Sequence, residues 1–208
     1  AAKGVHVTFS WASSPARWQQ ILALVDQTRL TAVQLDVKDE SGRIGYLSGV
    51  SLGREIGAAH DYLPIREMLE DLRARGIYSV ARIVVFRDPV LAQKRPALMV
   101  RTKSGRPVAG GVWVNPASRE VWDYNVALAR EAYALGFDEV QFDYIRFPEG
   151  SGAESAVYPG MGEQQRTDVI AAFTRYARQQ LGWEKRLSAA VFGFMGVAVD
   201  DQRIGQRP

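Results

Sequence analysis

The sequence predicts an α/β fold in which parallel strands alternate with helices and curl into a (β/α) barrel of TIM type, incomplete, with about five β/α units present. Three observations carry that expectation. A short apolar run, a polar loop and a helical stretch succeed one another five times along the 208 residues. The apolar runs are nearly continuous, as strands of a covered parallel sheet are. The turn after the first run, Phe9-Ser10-Trp11-Ala12-Ser13, lacks the GxGxxG or P-loop glycines that a nucleotide-binding sheet carries there.

The first run is Gly4 to Phe9, and the helix after it opens at Ser14-Pro15, an N-cap followed by proline in the first turn. Trp18, Ile21, Leu22 and Val25 recur at helical spacing and form its apolar stripe. The second run, Ala32 to Val37, gives way to a long Gly- and Ser-rich loop from Lys38 to His60. A helix is expected over Leu63–Arg75, with Ile65, Met68, Leu69 and Leu72 inward and Gly76 as its stop. The third run is Ile77 to Phe86. The connection to Pro116 is broken by prolines and glycines, with a short helix near Val90–Lys94, and the next helix spans Ser118–Leu135. The fourth run is Glu139 to Phe147, followed by a helix from Gln164 to Leu181. The fifth is Leu187 to Phe194.

Residues 1–208 therefore read as a single, partial barrel domain. Eight strands close such a barrel and typically take about 250 residues. An open parallel sheet leaves unpaired edges, so a homo-oligomeric partner or a further segment is expected to complete it. Composition excludes other classes. With 47% hydrophobic and 24% charged residues the chain is neither disordered nor strongly apolar. No apolar run approaches the roughly 18 residues of a membrane-spanning helix. The net charge is +3 and the basic residues are scattered, which argues against a nucleic-acid partner. The chain has no cysteine, so disulfides and thiolate chemistry are excluded, and its two histidines lie too far apart to suggest zinc. No metal and no cofactor are expected. No signal peptide is visible, and the composition leaves the compartment open.

In barrels the chemistry sits where strands end. The fourth run places Asp143 in Gln141-Phe142-Asp143-Tyr144-Ile145-Arg146-Phe147-Pro148, and the second places Asp36 in Gln34-Leu35-Asp36-Val37-Lys38. A carboxylate inside so apolar a strand is costly unless it is paired or faces a polar cavity. Strict alternation puts Gln141, Asp143 and Ile145 on one face and Tyr144 and Arg146 on the other. Strands two units apart aim Asp36 and Asp143 at one mouth, and two carboxylates in different environments are what glycosidic cleavage uses. These two are the catalytic candidates. Substrate-binding candidates are Arg146, Tyr144, Trp113, Lys38, Arg82, Trp11 and Asp39; the rings among them are flat platforms for pyranose faces. Arg82 also suits neutralising the buried carboxylates. Arg87 suits the same task, or binding a substrate hydroxyl or carboxylate. Asp39 and Glu40 also read as solvated loop charges, and His6 as a hydrogen-bonded core residue.

The chain resembles a bacterial family of glycoside hydrolase domains distantly related to the α-amylase-type barrels. The resemblance rests on Lys3-Gly4-Val5-His6, Gln34-Leu35-Asp36-Val37-Lys38-Asp39, Trp113-Val114-Asn115-Pro116, the segment from Gly136 to Pro148 and the tail Asp200 to Gln206. It implies a polysaccharide-hydrolysing barrel with Asp143 as the main catalytic carboxylate and a carbohydrate as the partner; the localisation is unknown from the sequence, with a secreted or cell-envelope setting favoured. The amylase-type acid stands at the end of strand five, where this chain reads Phe192-Gly193-Phe194. The acid is then Asp36, Asp39 or Glu149, or lies elsewhere, or is absent. In that last case the chain is a carbohydrate-binding barrel without turnover. A phosphate-handling barrel is a third reading, but no Gly-rich phosphate loop supports it.

Overall fold

The computed structural model describes residues 3–193 and 203–206. Its elements, in chain order, are β1 (Gly4–Val7), α1 (Phe9–Ala12), α2 (Pro15–Gln27), β2 (Ala32–Lys38), α3 (Ser51–Glu55), α4 (Ile65–Ala74), β3 (Tyr78–Val84), α5 (Pro89–Lys94), β4 (Arg101–Thr102), α6 (Arg119–Leu135), β5 (Glu139–Asp143), β6 (Ala156–Val157), α7 (Arg166–Leu181) and β7 (Arg186–Ala189). Five strands form one sheet in the order β1-β2-β3-β5-β7. Every neighbouring pair is parallel. Strand, crossover helix and next strand thus advance steadily in one direction, the topology of a partial (β/α) barrel. The small antiparallel pair β4–β6 joins the long loop after β3 to the loop after β5.

Local chemistry fixes the helix ends. Pro15 stands in the first turn of α2. Asp88 caps α5 by accepting from the Leu91 N–H at 2.8 Å. A reciprocal capping box of Gln165 and Asp168 starts α7. Gly136 ends α6 at φ 108°, backbone that favours glycine.

The sheet has two chemically different faces. Val33, Leu35, Ala81, Ile83 and Val140 are fully buried on the side covered by the helices. Phe142 joins them there and packs on Phe173 of α7 with centroids 5.3 Å apart. The opposite face follows from the register. His6 pairs with Gln34, Gln34 with Val80, Asp36 with Arg82, Arg82 with Gln141, and Gln141 with Ser188. Partnered residues of parallel strands share a face, so this side carries a band of polar groups. Gln34 donates to Gln141 at 2.7 Å, and Tyr78 and Ser188 donate to the two oxygens of Glu139 at 2.9 and 2.5 Å. The expected covering of the sheet is found on the helix side, and the opposite face carries the polar band.

Four strands stop short of the expected runs, β1 at Val7 and β3 at Val84 by two residues each, and two others by more. The fourth run ends as a strand at Asp143, because Tyr144 adopts φ 51° and turns the chain. The expected alternation stops there, and Ile145 is buried in the core. The fifth run is strand only over Arg186–Ala189, and Phe194 lies outside the described residues, as does the tail segment Asp200–Gln202. A further irregularity is a bulge in β2. Asp36 pairs with Arg82 and Lys38 with Ile83, two steps on one strand against one on the other. The extra residue, Val37, sends Lys38 to the helix side rather than to the side of Asp36.

Candidate active site

The polar face ends, at the C-terminal edges of β2, β3 and β5, in a cluster built on Arg82. Its Nη1 donates to Asp36 Oδ1 at 2.8 Å, its Nε to Asp143 Oδ2 at 2.8 Å, and its Nη2 to Glu40 Oε1 at 2.5 Å. Three strands and one loop thereby meet on one planar cation, whose rigid fork of donors suits several carboxylates at once. Burial works against the charge of Arg82, but the bonds to Glu40 and Asp36 outweigh it and raise its pKa further. His6 extends the chain from β1, its Nε2 standing 2.7 Å from Asp36 Oδ1.

The carboxylates differ in access. The Asp36 side chain is 1% exposed and enclosed by its partners. That of Asp143 is 23% exposed, and its Oδ1 accepts from the Tyr144 N–H at 2.7 Å. Glu40 is 38% exposed. Burial pushes the Glu40 pKa up, yet the hydrogen bonds from Arg82 and backbone and the charges of Arg82 and Arg87 bring it below the usual value. Asp39 goes the other way. Burial raises its pKa, aided by the negative charges of Asp36 and Glu40, against the bonds its Oδ1 accepts from Ser41 at 2.5 and 2.9 Å.

The aromatic part of the site lies beyond β5. The Tyr144 ring centroid is 5.9 Å from that of Trp113. The Arg146 guanidinium sits 4.9 Å from the Trp113 centroid, 5.1 Å from Tyr144 and 4.9 Å from Phe192, and donates to Glu149 at 2.9 Å. Arg87 stands 6.0 Å from the Tyr144 centroid on the side of Glu40, whose backbone carbonyl accepts from its Nη1.

The structure therefore brings together Asp143, Asp36, Arg82, Tyr144 and Arg146, with Asp39 one residue before Glu40. Trp11 lies apart on α1, exposed, with the Arg17 guanidinium 4.6 Å over its ring. Two binding expectations are corrected. Lys38 is fully buried against Asp88, 2.7 Å away, and lies over the Tyr124 ring. Burial lowers its pKa despite Asp88, and the bulge at Val37 keeps it off the polar face. Trp113 is 3% exposed, so its ring supports Tyr144 and Arg146 rather than presenting a face to a sugar. The pairing of Asp36 with Asp143 as acid and base is corrected on the same ground, since Asp36 has no opening through which to reach a substrate. Glu40 was read as a solvated loop charge, and instead it shares the Arg82 guanidinium. The signal available was its place just after β2; nothing in the spacing showed that the turn at Asp39–Gly42 would fold it back. Among the described residues no three His, Asp or Glu side chains form a metal-ligand set.

Comparison with known proteins agrees with this architecture. The chain is similar over 91% of its length to a hypothetical protein from Ruminiclostridium thermocellum, with 35% identity, 98% of that chain covered and a TM-score of 0.83. It is similar in fold to an α-galactosidase from Thermus thermophilus, with 21% identity, a TM-score of 0.59, and 90% of this chain on 37% of that one. A β-N-acetylhexosaminidase gives 16% identity, a TM-score of 0.67, and 95% of this chain on 48% of that one. The chain thus spans less than half the length of these two glycosidases. No curated protein sequence matches it. The family model described as "Putative glycosyl hydrolase domain" matches residues 4–208. A sheet of parallel strands with carboxylates gathered at its C-terminal edge, and a family match over nearly every residue, lead to one conclusion: the chain belongs to this glycosyl hydrolase domain family.

Proposed function

We propose that the chain is the catalytic part of a glycoside hydrolase acting on a polysaccharide of the cell envelope, with Asp143 as its nucleophile or base. The observation that carries this reading is the setting of Asp143: the last residue of β5, on the polar face, partly open to solvent, with Oδ2 held by Arg82 and Oδ1 by the Tyr144 N–H. Both oxygens are oriented before any substrate arrives, which is the preorganisation that cleavage needs. Asp36 holds Arg82, and Arg82 holds Asp143. Asp39 is the group best suited to give a proton to the leaving sugar, because burial favours its protonated form. Tyr144 supplies a surface for a pyranose face, and Arg146 keeps Tyr144 in place.

Reducing-end release from a panel of glycans tests the assignment. Asp143→Asn is expected to lower the rate on the active glycan by about 10²–10⁴-fold, and unchanged turnover would end the role given to Asp143. For Asp39 the sign is fixed by its raised pKa. The acid works while protonated, so wild-type activity falls as pH rises through a value above the usual 3.8, and Asp39→Asn loses that alkaline limb. The enclosure of Asp36 favours a second reading, a carbohydrate-binding barrel without turnover. That reading predicts glycan affinity that survives Asp143→Asn and no hydrolysis by the wild type.

A further inference from the structure

Among the described residues, Arg82, Arg146 and Lys38 each form an ion pair with a carboxylate, and Arg87 does not. Arg82 carries Asp36, Glu40 and Asp143. Arg146 carries Glu149, and Lys38 carries Asp88. Arg87 is half-buried at the C-terminal edge of β3, yet among the described residues no carboxylate forms an ion pair with it. Its neighbour Asp88 is turned away, with one oxygen on Lys38 and the other on the N-terminus of α5. Its Nη1 donates to the Glu40 backbone carbonyl, and the Glu40 carboxylate, held on Arg82, feels the Arg87 charge only from beyond ion-pair distance. The Nε–Nη2 edge, two parallel N–H donors, is left without a partner among the described residues.

Arg87 is also held still. The Glu40 carbonyl fixes one side of the guanidinium, the Tyr144 ring lies 6.0 Å away on another, and the backbone at Arg87 bridges to Trp113. A partly desolvated cation kept in one orientation, with two parallel donors open, matches a planar group carrying two oxygens. It stands beside Glu40 and Tyr144, which both adjoin Asp143. A sugar seated against Tyr144 and Asp143 would bring a ring substituent to that edge.

We propose that the substrate is an acidic glycan and that Arg87 is its specificity-determining residue, holding a hexuronate carboxylate through Nε and Nη2. The inference rests on the glycoside-hydrolase reading for the location of the sugar, but binding tests it without turnover. The probes are oligosaccharides of galacturonate, glucuronate and mannuronate, each beside its carboxyl-reduced neutral counterpart, with sulfated neutral oligosaccharides as a third arm. Affinity is measured by titration calorimetry for wild type, Arg87→Gln and Arg87→Lys, with the side-chain Nε–H resonance of Arg87 followed by NMR.

The wild type is expected to bind at least one uronate oligosaccharide about tenfold or more tighter than its reduced counterpart. Arg87→Gln abolishes that difference. Arg87→Lys, which keeps the charge and loses the fork, retains only part of it and serves if the glutamine variant does not fold. The Arg87 Nε–H shifts only with the acidic probe. The inference is overturned if no uronate is preferred to its reduced form, if the preference survives in both variants, or if only sulfated probes bind. Hydrolysis of neutral glycans alone would leave the enzyme reading standing and remove this one. Uronate preference without any hydrolysis would do the reverse.

Discussion

Replacing Arg82 by Met takes away the cation that Asp36, Glu40 and Asp143 share. Asp36 would then remain enclosed with only His6 beside it, and losing one partner of a buried ion pair costs about 3–5 kcal/mol. Denaturant unfolding of Arg82→Met near neutral pH measures this, and a loss below about 1 kcal/mol would show that the cluster does not hold the strands together. Glu40 adds a pH dependence of known sign. Its folded pKa lies below the usual 4.5, so its contribution is present above that value and is lost as pH falls through the lower one. Glu40→Gln is therefore expected to flatten the acid limb of the stability profile. Single residues were legible where chemistry clashed with context. Asp36, Asp143 and Arg82 stood out as charges inside apolar strands. Glu40 did not, because a charge in a polar loop is ordinary, and only the turn at Asp39–Gly42 brings it back to Arg82.

Strand and helix starts could be read from the chain, but strand ends could not. The helices expected over Ser118–Leu135 and Gln164–Leu181 are α6 and α7, displaced by only one or two residues at their starts. The fourth strand stops four residues early because Tyr144 takes a left-handed backbone, a choice no alternating pattern announces. The bulge at Val37 is equally silent in the sequence, and it alone turned Lys38 from an expected ligand into a buried partner of Asp88. Among the helices, the C-terminus of α6 offers a direct test. An L side chain at Gly136 meets φ 108°, and an added Cβ would stand 2.7 Å from Arg73 Nη2. Gly136→Ala should cost about 1–2 kcal/mol from the backbone alone, read as a lowered melting temperature. Phe173 of α7 touches Phe86, Phe142 and Trp122. Phe173→Ala should cost about 3–5 kcal/mol by opening a cavity between α7 and the sheet.

For the molecule as assembled, the parallel order of strands followed from strand–helix alternation, and the missing nucleotide loop pointed to a barrel rather than a doubly wound sheet. What alternation did not convey was that the sheet's two sides differ. The β3 strand lies in the middle of the five, flanked by β2 and β5, while β1 and β7 form the edges among the described residues. Amide hydrogen exchange should therefore be slowest in Val80–Val84 and fastest in Arg186–Ala189, with opening energies graded between them. Uniform protection would mean that the sheet opens only as a unit. The side carrying Gln34, Tyr78, Glu139, Gln141 and Ser188 has a consequence of its own. Amides, hydroxyls and a carboxylate do not shed their last layer of water as a greasy surface does. Any length of chain that comes to lie across them must arrive with donors and acceptors spaced to match. Each group left without a counterpart would subtract about 1–3 kcal/mol from that union.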